Sequence, residues 1–193
     1  EKVYDAYVAK LVEKTKAIKC GDPTEKDVFF GPVINARSAK TFEDAIVSAK
    51  KGGKILAGGE RMKGGIYDKG HFCAPTIAEL PLDHEIFMRE LFVPILAVGK
   101  VTGIDQAIAE GNRAEYGLTA GIFTGKKEEI QKFFDEIESG VCYANRRTGA
   151  TTGAWPGVQS FCGWKGSGST GKGGCGPYYV TQFMREQSRT IME

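Results

Sequence analysis

Two hydrophobic periods alternate along this chain, and the alternation restricts it to folds that layer helices on a sheet. Val3, Tyr4, Tyr7, Val8, Leu11, Val12, Thr15 and Ile18 recur at three- and four-residue spacing. That period predicts an amphipathic helix over residues 2–18 with one core-facing stripe. Gly21-Asp22-Pro23 ends it. Asn35 is placed to cap a second helix carrying Ala39, Phe42, Ala45, Ile46 and Ala49, which Gly52-Gly53 stops. Lys54 to Gly59 then reads as a short buried strand. A Gly- and Lys-rich excursion over residues 60–70 leads to a strand over 72–78, where Pro75 predicts an edge or a bulge. Pro94 to Val101 suits a central strand. A helix over 104–112, a strand over 118–124, a helix over 128–137 and a strand over 141–144 complete the series. The reading is α/β: a largely parallel sheet with helices on both faces.

The series ends in a segment of a different kind. Between Thr152 and Pro177, nine of 26 residues are glycine, yet Trp155, Phe161 and Trp164 are interleaved. A flexible linker has no use for large rings. A backbone folded closely around a small ligand needs glycine for its turns and aromatics for its walls. We read the segment as an ordered active-site loop, followed by a helical turn or two over 178–184 and an extended tail over 187–192.

Composition narrows the partners. With 26 basic against 24 acidic residues in 193, the net charge is +2, so no electrostatic footprint for nucleic acid is present. No apolar run approaches the ~20 residues that a membrane span needs. Five cysteines without a Cys-x-x-Cys pair favour reduced thiols and a cytoplasmic setting. His71-Phe72-Cys73 could offer two metal ligands, but a second half for a four-ligand site is missing. The expected partner is a small molecule. Because residue 1 already falls in a helical pattern without an initiator Met, the chain reads as a piece of a longer protein.

Three motifs compete for the chemistry. Gly166 to Gly171 fits G-x-G-x-x-G, and Gly166 to Lys172 fits the first seven positions of a phosphate-cradling loop. Both need a strand before and a helix after, and Gly173 follows Lys172 where a magnesium-binding Ser or Thr belongs; in so glycine-rich a stretch both matches read as chance. Glu90-Leu-Phe92-Val-Pro94 is more specific. A carboxylate two residues from an aromatic ring, at the mouth of an apolar strand, could accept hydrogen bonds from a sugar diol and pack on a flat ring.

An ordered series extends that motif: Gly31-Pro32-Val33-Ile34-Asn35, Ala57-Gly58-Gly59, Phe72 to Thr76, Glu90-x-Phe92-x-Pro94, Asn112-x-x-x-Tyr116-Gly117-Leu118, Gly140-Val141-x-Tyr143-x-Asn145 and Phe161-x-Gly163-x-Lys165-x-Ser167-Gly168. Over essentially all 193 residues it resembles the aldehyde dehydrogenase superfamily. Thr152-Gly153-Ala154 with Phe161 and Gly176-Pro177-Tyr178 is similar to a branch that oxidises glutamate semialdehyde to glutamate.

The resemblance implies roles. Glu90 would bind the nicotinamide ribose hydroxyls of NAD, or NADP, and Phe92 would pack by the nicotinamide. Gly153 and Ala154 would hold the substrate carboxylate with backbone N–H groups, with Gly149-Ala150 as the alternative pair. Phe161 would line the aldehyde tunnel, although Ser160 and Cys162 stand where the family usually has Pro and Gly. Asn145 would lie near the substrate pocket or close a strand end. The nucleophilic cysteine, the general-base glutamate and the dinucleotide loop would lie ahead of Glu1, leaving Cys162 as a wall residue and the segment alone inactive. Residues 1–177 would then be the C-terminal part of the catalytic domain. Residues 178–193 would be a helix turn and a strand for homo-oligomerisation. A truncated, non-catalytic assembly module and an aldehyde dehydrogenase of other specificity are the competing readings.

Overall fold

The structure is a computed structural model and describes residues 2–147, 158–168 and 172–193. The chain packs as two units, residues 1–103 and 104–193.

The first unit holds α1 (Tyr4–Lys16), α2 (Ala36–Gly52), β1 (Lys54–Ala57), β2 (Thr76–Glu79) and β3 (Ile95–Val98). The Asn35 side chain accepts from the Ser38 N–H at 2.9 Å, which satisfies one of the orphan donors at the start of α2. Lys50 and Lys51 fill the last turn, where a cation complements the helix dipole. The buried face of α2 is the predicted one: Ala39, Phe42, Ala45, Ile46 and Ala49. Phe42 and Ile46 pack with Cys73, and Ala49 packs with Ala78 and Leu80. On α1 the predicted stripe is narrower, since Val8 is buried while Val3 and Tyr7 are exposed.

The three strands run in the order β1-β2-β3. β1 pairs with β2 antiparallel, with a register shift between Ile55 and Ala57. β2 pairs with β3 parallel, from Thr76 opposite Ile95 to Glu79 opposite Val98. Two expectations change here. The bulge lies in β1 rather than beside Pro75, and among the described residues β3 is an edge strand while β2 is central. Proline supplies no N–H, so the ladder starts one residue later, where the Thr76 N–H donates to the Pro94 carbonyl at 2.9 Å. Phe72 and Cys73 lie outside β2, and Cys73 instead bridges Arg61.

One polar contact ties α1 to the sheet. The Tyr4 hydroxyl donates to the Glu79 carboxylate at 3.0 Å, and Lys100 stands over the Tyr4 ring. Burial first, then the bond to Glu79, push the Tyr4 phenol up from 10.0 to about 12. A raised pKa means that the neutral phenol is favoured in the folded state, so this stabilisation is complete below pH 10 and is lost between about pH 10 and 12. Melting temperature followed across that interval should fall more steeply for the wild type than for Tyr4→Phe. Parallel curves would show that the contact contributes nothing.

The second unit contains α3 (Ile104–Asn112), β4 (Tyr116–Gly117), β5 (Thr119–Ile122), α4 (Lys127–Glu136), β6 (Val141–Ala144) and β7 (Trp164–Lys165). β5 and β6 pair in parallel across α4, and Ile108, Phe133 and Ile137 pack over Ala120, Ile122 and Cys142. β4 and β7 pair antiparallel. Among the described residues the sheets of this α/β chain are thus mixed, with two parallel and two antiparallel pairings rather than a largely parallel set. A 3-10 turn, Val180–Phe183, matches the expected helical turn, and residues 184–193 lie in neither helix nor strand.

Candidate functional site

In the first unit, residues 89–94 join a 3-10 turn, Glu85–Met88, to β3. Both ends of this segment are fastened. On the turn side, the Ser48 hydroxyl of α2 donates to Glu85 at 2.7 Å, and Arg89 lies 3.5 Å from the same carboxylate. Chiefly the serine hydrogen bond, and after it Arg89, holds the Glu85 carboxyl below its ordinary range. On the strand side, Val93 packs on the Phe42, Ile46 and Cys73 core.

Between these anchors the chain turns Phe92 outward. Its backbone sits at φ 53° and its side chain is 83% exposed. A non-glycine residue in the left-handed region costs about 1–3 kcal/mol and persists only where its surroundings determine it. Glu90 is exposed as well, and its carboxylate has no hydrogen bond or ion pair among the described residues. A free acceptor pair two residues from a free ring suits a ligand that carries a vicinal diol and a flat heterocycle.

The second unit places Asn145 and Phe161. Asn145 follows β6 at φ 54°; its Oδ1 accepts from the Thr124 N–H at 3.0 Å and its Nδ2 donates to the Thr124 carbonyl at 2.9 Å. Side-chain amide and backbone amide are thus paired like two strands, so Asn145 closes the β5–β6 end. Phe161 forms a two-hydrogen-bond bridge with Gly174, at 2.8 and 3.0 Å, and its ring is 41% exposed. The next residue is inward. The Cys162 thiol donates to the Gly140 carbonyl at 3.1 Å, and the Cys162 carbonyl lies so close to Gly140 that a Cβ there would meet it at 2.0 Å. Only glycine admits that approach, and the Cys162 thiol is spent on the backbone. Burial, with Cys162 adding, pushes the Cys142 thiol up and away from nucleophilic use.

Lys165 belongs to the last of the sequence motifs, whose spacing gave it no role of its own. Its Nζ donates to the carbonyls of Asn112 and Ala114, at 2.8 and 3.0 Å, and pairs with Glu138 at 2.8 Å. The Asn112 side chain in turn bridges the Glu136 carbonyl and the Glu138 N–H, both at 2.8 Å. This knot fastens β7 to the ends of α3 and α4. Its signal was a lysine set between a tryptophan and a glycine in the glycine-rich stretch. Gly153, Ala154 and the alternative pair Gly149-Ala150 lie outside the described residues. Lys172 stands 4.7 Å from the Tyr178 ring, and among the described residues no helix follows it before Val180, so the context of a phosphate loop is not met. Among those residues there is also no cluster of three potential metal ligands and no helix long and apolar enough to cross a membrane.

Glu90 and Phe92 are thus exposed in the first unit, and Phe161 is exposed in the second. Residues 1–188 match the aldehyde dehydrogenase family, and the chain belongs to that family. Among its relatives are 1-pyrroline-5-carboxylate dehydrogenase of Bacillus licheniformis, 37% identical over 194 residues, and 1-pyrroline-5-carboxylate dehydrogenase 2 of Bacillus subtilis, 36% identical. Each match covers 100% of this chain and 36% of the relative, so the chain spans about a third of their length. The solved 1-pyrroline-5-carboxylate dehydrogenase from Thermus with bound NAD superposes with a TM-score of 0.83 at 31% identity, over 94% of this chain and 34% of that one. A 3,6-anhydro-L-galactose dehydrogenase in complex with NADP superposes at 0.85 and 33% identity, over 94% and 37%.

Proposed function

We propose that this chain forms the C-terminal part of an NAD(P)-dependent aldehyde dehydrogenase that oxidises L-glutamate 5-semialdehyde, the open form of 1-pyrroline-5-carboxylate, to L-glutamate in proline degradation. The similarity over the whole chain to relatives carrying that name supports the reading most directly. Glu90 accepts hydrogen bonds from the nicotinamide ribose diol, and Phe92 packs its face by the nicotinamide. When bound, the cofactor supplies the hydride acceptor. Gly153 and Ala154 grip the substrate carboxylate, Phe161 forms the tunnel wall, and Asn145 keeps the strand end in place beside it. The nucleophile and general base belong to sequence outside these 193 residues, so this segment by itself does not turn over aldehyde. Residues 1–177 serve the catalytic domain, whose largely parallel sheet is completed by the rest of the enzyme. Residues 178–193 supply a turn and a strand that pairs with a second subunit of a cytoplasmic homo-oligomer.

Steady-state kinetics of the full-length enzyme test the substrate. With glutamate semialdehyde, kcat/KM should exceed that for aliphatic aldehydes of equal length by at least ~10-fold, the worth of one charge-assisted contact to the carboxylate. Equal values would remove glutamate semialdehyde from the proposal and leave an aldehyde dehydrogenase of other specificity.

A further inference from the structure

The segment that presents Glu90 and Phe92 begins at His84, a residue that neither the motifs nor the family resemblance singled out. Its backbone closes one turn and opens the next: the His84 N–H donates to the Pro81 carbonyl at 3.0 Å, and its carbonyl accepts from the Phe87 N–H at 3.1 Å. The side chain does more. Nδ1 accepts from the Ile86 N–H at 3.3 Å, capping the 3-10 turn, and Nε2 lies 3.4 Å from the Ser48 carbonyl of α2. An acceptor at Nδ1 assigns the ring proton to Nε2, so one neutral imidazole bridges the helix and the turn.

The end of α2 is shaped to receive that ring. A Cβ built on Gly52 would stand 2.5 Å from His84 Cδ2 and 2.7 Å from Nε2, so the imidazole lies directly on the helix backbone. The Ser48 hydroxyl, donating to Glu85 at 2.7 Å, makes a second tie one residue further along. Helix, imidazole and turn form one fixed support, and six residues later the chain reaches Glu90.

We propose that His84 is a positioning residue for the cofactor: through its cap on the turn and its seat on Gly52 it sets the path along which Glu90 and Phe92 are presented. The inference rests on the reading of those two residues as the nicotinamide end of the site. His84 acts through the turn and the helix end that it touches, so its removal acts on cofactor affinity and leaves the aldehyde end alone.

The test uses the full-length enzyme with NAD as the probe, reading the Kd for NAD by titration, the KM for the aldehyde, and the melting temperature. His84→Leu removes the acceptor, and Gly52→Ala puts a methyl group where the ring lies. Loss of a helical cap is worth about fivefold, so each of these variants should weaken NAD binding about fivefold with the aldehyde KM within about twofold. His84→Asn, whose Oδ1 can accept from the Ile86 N–H, should bind NAD within about twofold of wild type. Glu90→Gln separates the two levels. If it weakens NAD binding while His84→Leu and Gly52→Ala do not, the positioning role is wrong and the reading of Glu90 stands. If Glu90→Gln has no effect, the underlying reading of the site is wrong and this inference falls with it. A uniform loss of NAD affinity, aldehyde affinity and melting temperature in both His84→Leu and Gly52→Ala, or no rescue by asparagine, would reduce His84 to a structural residue and overturn the proposal.

Discussion

Truncating Phe42 to alanine should lower the stability of the first unit by about 3–5 kcal/mol. Phe42 is 1% exposed and is among the largest fully buried side chains of the chain. Its ring fills the space between α2 and the sheet, touching a cluster formed by Ile46 and Cys73 and bordered by Val33, Ile55, Val93 and Ile95. The neighbours come from a helix, two strands and three connecting segments, so they cannot all collapse into the vacated volume, and the cavity term adds to the lost transfer energy. Amide hydrogen exchange in α2 and β2 measures the change as a fall in opening free energy. Because Val93 is the anchor beside Phe92, the same substitution should loosen residues 89–94 as well. A loss below about 1 kcal/mol would mean that the packing around the ring is not as described.

Lys165→Met should cost about 2–3 kcal/mol in the second unit, an effect out of proportion to its place in a glycine-rich loop. Methionine keeps the aliphatic stem and its packing but leaves the carbonyls of Asn112 and Ala114 without their charged donor. Those carbonyls lie at and just beyond the C-terminal end of α3, where a helix has no donors of its own to offer. The pairing with Glu138 adds little, because that carboxylate is 54% exposed and screened by water. Protection of β4 and β7 amides should fall first, with the Phe161–Gly174 bridge following, since β7 begins three residues after Phe161. Unchanged protection in β4 and β7 would show that the lysine is a bystander.

What could be read from the chain depended on the range of the signal. The bounds of α3 and β6 agree with the sequence reading, and so do the cap and stop of α2, because an Asn ahead of an apolar stripe and a Gly pair behind it act within a turn or two. Strand direction has no local signature. The connection between β1 and β2 lets them run antiparallel, which the alternation of helix and strand patterns did not indicate. β4 and β7 are two residues each and join positions 116 and 165, so periodicity could not report them. At the candidate site, the Glu90-x-Phe92 spacing was legible, while the left-handed backbone of Phe92 was not, since nothing in a phenylalanine announces that its neighbours hold it outward. Asn145 carried two readings in the sequence, and the two bonds to Thr124 favour closure of the strand end.

The backbone at Phe92 has a consequence for how the chain can change. A position at φ 53° favours glycine or asparagine over an aromatic residue. Random substitution filtered for folding alone would accept the loss of the ring there and even be rewarded by it. On the proposed role of the ring, keeping phenylalanine requires continual selection on what it does, so at residue 92 drift toward a more comfortable chain and retention of a working one point in opposite directions.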